Sequence, residues 1–134
     1  MKTIGVMFRK INRTGNKTIN NPNKEELKKQ VKTLHRKLKK KDDIITYYSI
    51  ESDTNKGGKY HTHLLIKYND EKNLYNGLSR FIGGNCWEYR NNGLDPLKSC
   101  KGLYGEVDTH FIYDEVGFMN YMEKNQLIKE PLYF

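Results

Sequence analysis

The sequence has few cysteines and no long hydrophobic run. Cys86 and Cys100 are its two cysteines in 134 residues, so we interpret them as free, packed thiols rather than as a disulfide framework. No apolar stretch approaches the roughly 20 residues that span a bilayer, and residues 1–10 lack the hydrophobic region of a secretory signal. These absences argue against a disulfide-rich secreted domain and a membrane helix, and they predict a cytoplasmic protein with no membrane partner.

Acidic residues are scarce relative to basic ones. The chain has 24 Lys and Arg against 16 Asp and Glu, a formal net charge of +8. Such an excess attracts polyanions, so nucleic acid is the first partner to consider. Ten Tyr, five Phe and one Trp supply apolar bulk for a core although hydrophobic residues make up 36% of the chain. We therefore expect residues 1–134 to form a single domain.

Residue periodicity predicts five strands and three helices. Runs of β-branched and aromatic residues indicate strands at residues 3–8, 44–51, 60–68, 86–90 and 106–113. Apolar residues three and four apart predict helices at residues 24–41, 71–81 and about 114–125. Residues 12–23 and 91–102 are interpreted as loops. This order of elements predicts an α+β fold with an antiparallel sheet and flanking helices.

A histidine pair on the third predicted strand is the first candidate for chemistry. Side chains alternate along a strand, so His61 and His63 project from one face, about 7 Å apart along the backbone. Mn²⁺ and Mg²⁺ favour oxygen ligands, so a nearby carboxylate should complete the site. A glycine turn at residues 57–58 would bring the preceding strand alongside, which makes Glu51 the first choice and Asp53 the second. The alternative is that both histidines are structural.

The last predicted helix carries a second candidate group. Tyr121 and Lys124 are three residues apart and therefore share a helical face. A tyrosine hydroxyl ordinarily has a pKa near 10, so a metal ion and a nearby cation would assist its attack on a phosphate. Alternatively, Tyr121 packs in the core with Phe118 and Met122, and Lys124 is an ordinary solvated lysine.

Taken together, the HTHLLI strand, the upstream acid and the YMEK helix resemble the HUH endonuclease superfamily, specifically the single-tyrosine replication initiators of rolling-circle plasmids and small viruses. The resemblance implies a five-stranded antiparallel sheet. It also implies that His61, His63 and Glu51 bind Mn²⁺ or Mg²⁺, that Tyr121 is the nucleophile and that Lys124 assists it. The implied activity is sequence-specific nicking of single-stranded origin DNA through a 5′-phosphotyrosine linkage.

This resemblance also sets expectations about partners. We assign DNA contacts to four basic residues, Arg9, Lys10, Lys59 and Lys67. Because 134 residues leave no room for a helicase domain, host replication proteins would unwind the DNA. The protein would act in the host cytoplasm if a virus or plasmid encodes it, and a homodimer would be compatible with this role.

Three alternatives stay open on the sequence alone. A single-tyrosine transposase of the same superfamily would use Gln126 as a ligand. A non-catalytic module for RNA or single-stranded DNA would stack bases on exposed tyrosines, namely Tyr47, Tyr48, Tyr60 and Tyr68. A zinc-stabilised domain would combine its histidines and cysteines, namely His61, His63, His110 and Cys86 or Cys100, although their spacing matches no common zinc motif.

Overall fold

The computed structural model describes residues 1–9, 11–14, 17–18, 22–53, 59–90, 93–112 and 114–125. Within these residues the strands are β1 (Lys2–Arg9), β2 (Arg13–Thr14), β3 (Lys17–Thr18), β4 (Ile45–Asp53), β5 (Lys59–Tyr68), β6 (Trp87–Arg90), β7 (Gly93–Pro96), β8 (Ser99–Lys101) and β9 (Glu106–Phe111). The helices are α1 (Lys24–Lys39), α2 (Glu71–Ile82) and α3 (Glu115–Asn125). Together they form a small α+β domain, as the order of predicted elements indicated.

Five strands form the central antiparallel sheet in the order β4-β5-β1-β9-β8. The predicted five-stranded antiparallel sheet is therefore confirmed. The histidine strand β5 pairs with β4 on one side and β1 on the other, and Leu64, Leu65 and Ile66 on it are fully buried. Strands whose two faces are both covered carry continuous apolar runs, which explains this stretch.

Three sequence-based predictions about the strands were wrong. The predicted strand at residues 86–90 lies outside the central sheet, because β6 pairs with β7 in a separate hairpin. The fifth strand of the sheet is instead β8, which falls inside the predicted loop at residues 91–102. The predicted loop at residues 12–23 likewise contains the short paired strands β2 and β3. These segments of two to four residues are too short for a two-residue alternation to stand out.

Helices α1 and α2 begin and end where the sequence predicted, to within about two residues. Asn23 and Glu26 form a reciprocal capping box, in which the Glu26 amide donates to Asn23 Oδ1 at 2.9 Å. Asp70 caps α2, and Gly83 ends it in the left-handed conformation with φ 67°, which glycine adopts without a Cβ penalty. Among the described residues no helix combines the length and apolarity needed to cross a bilayer.

One face of the sheet packs against α1 and α2 and forms the core. We call it the core face, and it carries Ile4, Val6 and Phe8 of β1 with Leu64 and Ile66 of β5. The apolar residues of α1 that the sequence placed on one helical face are also buried there, namely Leu27, Val31, Leu34 and Leu38. Burying each such side chain contributes about 1.5–3 kcal/mol. Both helices therefore lie on one side of the sheet.

A histidine is buried between α1 and the sheet. His35 Nδ1 lies 2.8 Å from the Thr46 hydroxyl, and the His35 side chain is 1% exposed. Burial, together with the positive charge of Lys39, lowers the pKa of His35 from 6.5 to about 4. The folded protein therefore holds this imidazole neutral at a pH where the unfolded chain protonates it.

We predict that this histidine makes the fold sensitive to acid. Below pH 6.5 the unfolded chain binds a proton at His35 that the folded chain does not bind until about pH 4, so the free energy of unfolding falls as the pH decreases through this window. The loss should approach about 3 kcal/mol at pH 4, because each unit of the pKa shift corresponds to about 1.4 kcal/mol. Urea unfolding of the wild type and of His35→Gln, which keeps a polar partner for Thr46, measures it. Parallel stability profiles of the two proteins between pH 4 and 7 would contradict the prediction.

Candidate active site

The register of the β4–β5 pair aligns the predicted ligands. Glu51 lies directly opposite His61, and Ser49 lies opposite His63. Because side chains alternate, these four residues point to the same side of the sheet, opposite the core face. We call this side the site face. The hairpin thus brings together an acid and two histidines that are ten and twelve residues apart in the sequence.

The three side chains converge on a small volume. The Nε2 atoms of His61 and His63 lie 2.8 and 3.2 Å from Glu51 Oε2, and each side chain is 12% exposed. The two imidazole rings meet edge to face with centroids 4.9 Å apart. One ligand atom from each residue lies within 4.8 Å of the others. Glu51, His61 and His63 could therefore hold a metal ion between them.

Unpaired polar atoms at this cluster fit a cation site. Glu51 Oε1 and His63 Nδ1 are buried and make no hydrogen bond among the described residues. Leaving such groups unpaired costs about 1–3 kcal/mol each, and a bound cation would satisfy the carboxylate oxygen. Burial also lowers the pKa of His63, although the charge of Glu51 opposes this shift. A neutral imidazole is the form that binds a metal.

Helix α3 crosses the site face and contacts it at intervals of three residues. Glu115 makes an ion pair with Lys67 of β5, Phe118 packs edge to face on His110 of β9 at 5.7 Å, and Tyr121 packs edge to face on His63 at 5.9 Å between ring centroids. Residues three apart share a helical face. The Tyr121 side chain is 47% exposed, so its ring is beside the cluster while part of it faces solvent.

Gly5 leaves space for the contact between His110 and Phe118. A Cβ at this position would lie 2.5 Å from His110 Nε2 and 2.6 Å from His110 Cε1. Gly5 is the cross-strand partner of His110, so the imidazole can lie across β1 only because the glycine has no side chain. Phe118 then rests on that imidazole, which sets the height of α3 above the sheet.

The other predicted site residues have varied positions. Arg9 lies opposite His61 across the β1–β5 pair, and its half-buried side chain is on the site face. Lys67 shares that face and pairs with Glu115. Lys124 follows Tyr121 by three residues in α3. The side chains of Lys124, Lys59 and Asp53 lie outside the described residues, as do Lys10 and Gln126 entirely.

The contacts by which α3 packs on the sheet were not predicted from the sequence. His110 was considered only as a zinc ligand and Phe118 only as a core residue, and Glu115 was not considered. The available signal was the three-residue spacing of Glu115, Phe118 and Tyr121, which places them on one helical face. Their partners on the sheet could not be read from this spacing.

The structure disagrees with two of the alternatives, the zinc-stabilised domain and the base-stacking module. Cys86 and Cys100 are free thiols inside the core, and burial raises the pKa of Cys100 to about 12, so neither thiol joins the histidines in a zinc site. The base-stacking alternative expected four exposed tyrosines, but Tyr48 and Tyr68 are 5% and 1% exposed. Both belong to the core face, because they alternate with the residues that face the site.

Comparison of the chain with known protein families, with curated proteins and with solved structures found no match.

We predict that the cluster binds divalent metal through both histidines. His61→Ala should weaken Mn²⁺ binding by about tenfold or more, because it removes one of three ligands. Isothermal titration calorimetry at pH 7 measures this affinity. The matched control is His110→Ala, which removes an exposed imidazole from the same sheet face and should leave Mn²⁺ affinity unchanged. Equal affinities for wild type and His61→Ala would make the histidines structural.

Proposed function

We propose that the protein is a metal-dependent endonuclease that nicks single-stranded DNA through Tyr121. The observation that carries this proposal is the contact of the Tyr121 ring with His63, one of the three residues that could hold a metal. A phenol whose ring packs on a candidate metal ligand, on a helix at the edge of solvent, is suited to attack a phosphodiester. The resemblance of the HTHLLI and YMEK segments to HUH endonucleases supports the same chemistry.

The proposed metal is Mn²⁺ or Mg²⁺. One carboxylate and two imidazoles leave coordination positions for water and a phosphate oxygen, as these ions require. When bound, the ion would polarise the scissile phosphate. The 12% exposure of the three ligand side chains would strengthen this electrostatic effect relative to bulk water.

The proposed reaction exchanges one phosphoester bond for another. The Tyr121 oxygen attacks phosphorus and forms a phosphotyrosine bond to the 5′ end of the downstream fragment. The bond from phosphorus to the 3′ oxygen breaks, and the proton lost by the tyrosine hydroxyl is balanced by the proton gained by that oxygen. No oxidant or reductant is needed. A 3′-hydroxyl is released, and reversal of the same steps rejoins the strand.

The proposed biological role is the initiation of rolling-circle replication at a specific origin sequence. A free 3′-hydroxyl is the group that a polymerase extends, so host replication proteins would be the natural partners. Arg9 fits a role in binding the substrate phosphate, because it lies on the site face beside His61, and guanidinium groups bind phosphates in two-point geometry. Lys124, three residues after Tyr121 in the sequence, would supply a second cation.

The central test removes one oxygen atom. Tyr121→Phe should abolish the covalent protein–DNA adduct while leaving Mn²⁺ affinity and thermal stability unchanged, because the ring contact with His63 is kept. A pool of single-stranded oligonucleotides with a randomised segment, incubated with protein and Mn²⁺, is analysed by denaturing gel and mass spectrometry. Tyr47→Phe, on β4, is the matched control and should retain the adduct.

Two outcomes would contradict this proposal. An adduct of undiminished yield in Tyr121→Phe would move the nucleophile elsewhere, with Tyr113, outside the described residues, as the next candidate. Tight binding of the oligonucleotides with no adduct, in Mn²⁺ and in Mg²⁺, would instead favour a non-catalytic binding module.

A second test concerns the position of the tyrosine. Phe118→Ala removes the ring that packs on His110. The position of Tyr121 relative to the cluster should then be less well fixed, and nicking should slow by about tenfold or more. Mn²⁺ affinity should not change, because no metal ligand is touched. Single-turnover rates of adduct formation and calorimetry measure the two effects. A normal rate in Phe118→Ala would show that this contact does not position Tyr121.

A further inference from the structure

The positive charge of the protein is concentrated on α1. Residues 27–41 contain eight of the 24 lysines and arginines and none of the 16 acidic residues. The remainder of the chain has sixteen residues of each sign and is neutral. The net charge of +8, from which a polyanionic partner was inferred, therefore equals the charge of α1 beyond its first turn together with the two lysines that follow the helix.

These cations form a continuous stripe. Five exposed basic residues lie along the outer side of α1 over about 16 Å at the helical rise of 1.5 Å per residue, and they are Lys29, Lys32, Arg36, Lys37 and Lys40. They lie opposite the apolar residues that α1 buries in the core. Since α1 packs on the core face, the stripe and the site face are on opposite sides of the sheet.

We propose that this α1 stripe binds the phosphate backbone of duplex DNA. The inference is separate from the nicking reaction, because none of its residues lies on the site face. An α-helix fits the major groove of B-DNA, which is about 12 Å wide, whereas the major groove of duplex RNA is too narrow to admit it. Lysines along the helix would then meet phosphates, which gives affinity without sequence preference.

The composition of the stripe argues against other occupants. Single-stranded nucleic acid is held by aromatic residues that stack on bases, and α1 contains no Phe, Tyr or Trp. A helix that enters a membrane surface needs exposed apolar residues, but Leu27, Val31, Leu34 and Leu38 are at most 4% exposed. The stripe therefore offers only cationic side chains on a regular helix, and these complement the regularly spaced phosphates of a duplex.

The test compares two variants of equal charge. One neutralises three stripe residues, Lys29→Gln, Lys37→Gln and Lys40→Gln. The control neutralises three exposed cations outside α1, Lys2→Gln, Arg80→Gln and Lys98→Gln. Fluorescence anisotropy measures binding of a labelled 20-base-pair DNA duplex from 50 to 200 mM NaCl. Far-UV circular dichroism and thermal unfolding check that both variants keep the fold.

Counterion release sets the expected result. With five phosphate contacts, wild-type affinity should fall about 500-fold over this salt range, because the logarithmic slope is about −0.9 per contact. The stripe variant, with two contacts left, should lose only about tenfold over the same range and should bind more weakly at 50 mM. The control variant should keep the wild-type slope. Adduct formation on single-stranded oligonucleotides should be unaffected by the stripe variant, which separates this proposal from the nicking function.

Three results would overturn the proposal. Equal slopes for the stripe and control variants would mean that only total charge matters. Equal affinity for a duplex RNA of the same length would remove the assignment to DNA. Stripe-dependent binding to vesicles containing phosphatidylglycerol, with no binding of the DNA duplex, would assign the stripe to an anionic membrane surface.

Discussion

The antiparallel register between β4 and β5 is the constraint on which the candidate site depends. It pairs Glu51 with His61, and the two-residue period of the strand then brings His63 to the same face. A slip of one residue would turn the histidines into the core and place Thr62 and Leu64 on the site face. Burial of Leu64 and Ile66 against α1 and α2 opposes such a slip. The apolar core therefore maintains the geometry of the polar site on the other side of the sheet.

The contacts of α3 extend this arrangement from a cluster that could hold a metal ion to a candidate reactive site. Three residues of α3, spaced three apart, contact the sheet. Glu115 pairs with Lys67, Phe118 packs on His110, and Tyr121 packs on His63. The absent side chain of Gly5 permits the central contact. The tyrosine position thus depends on a residue more than one hundred positions away in the sequence, which pairs with neither the helix nor the metal ligands.

Two sides of one sheet carry different physical properties. The site face combines partly buried histidines and a carboxylate with residues of both charge signs, such as Arg9 and Glu106. The opposite side presents a helix whose outer surface is cationic beyond its acidic first turn. A sheltered environment of low dielectric strengthens short-range coordination, whereas an exposed cationic surface acts over a Debye length of about 10 Å. The separation suits a protein in which holding a polyanion and reacting with it are distinct tasks.

Sequence alone determined the features that depend on local period and local chemistry. The bounds of α1 and α2, the apolar histidine strand and the choice of Glu51 followed from helical spacing, capping residues and the alternation of a hairpin. Tertiary structure decided the membership of β8 in the sheet, the burial of Tyr48 and Tyr68, and the contact of Tyr121 with His63. These depend on which distant segments meet, and short strands or single aromatic residues carry no periodic signal that identifies their partners. The charge of +8 was visible from the start, but the concentration of its excess on the side opposite the histidines required the fold, because composition does not show where the charged residues lie.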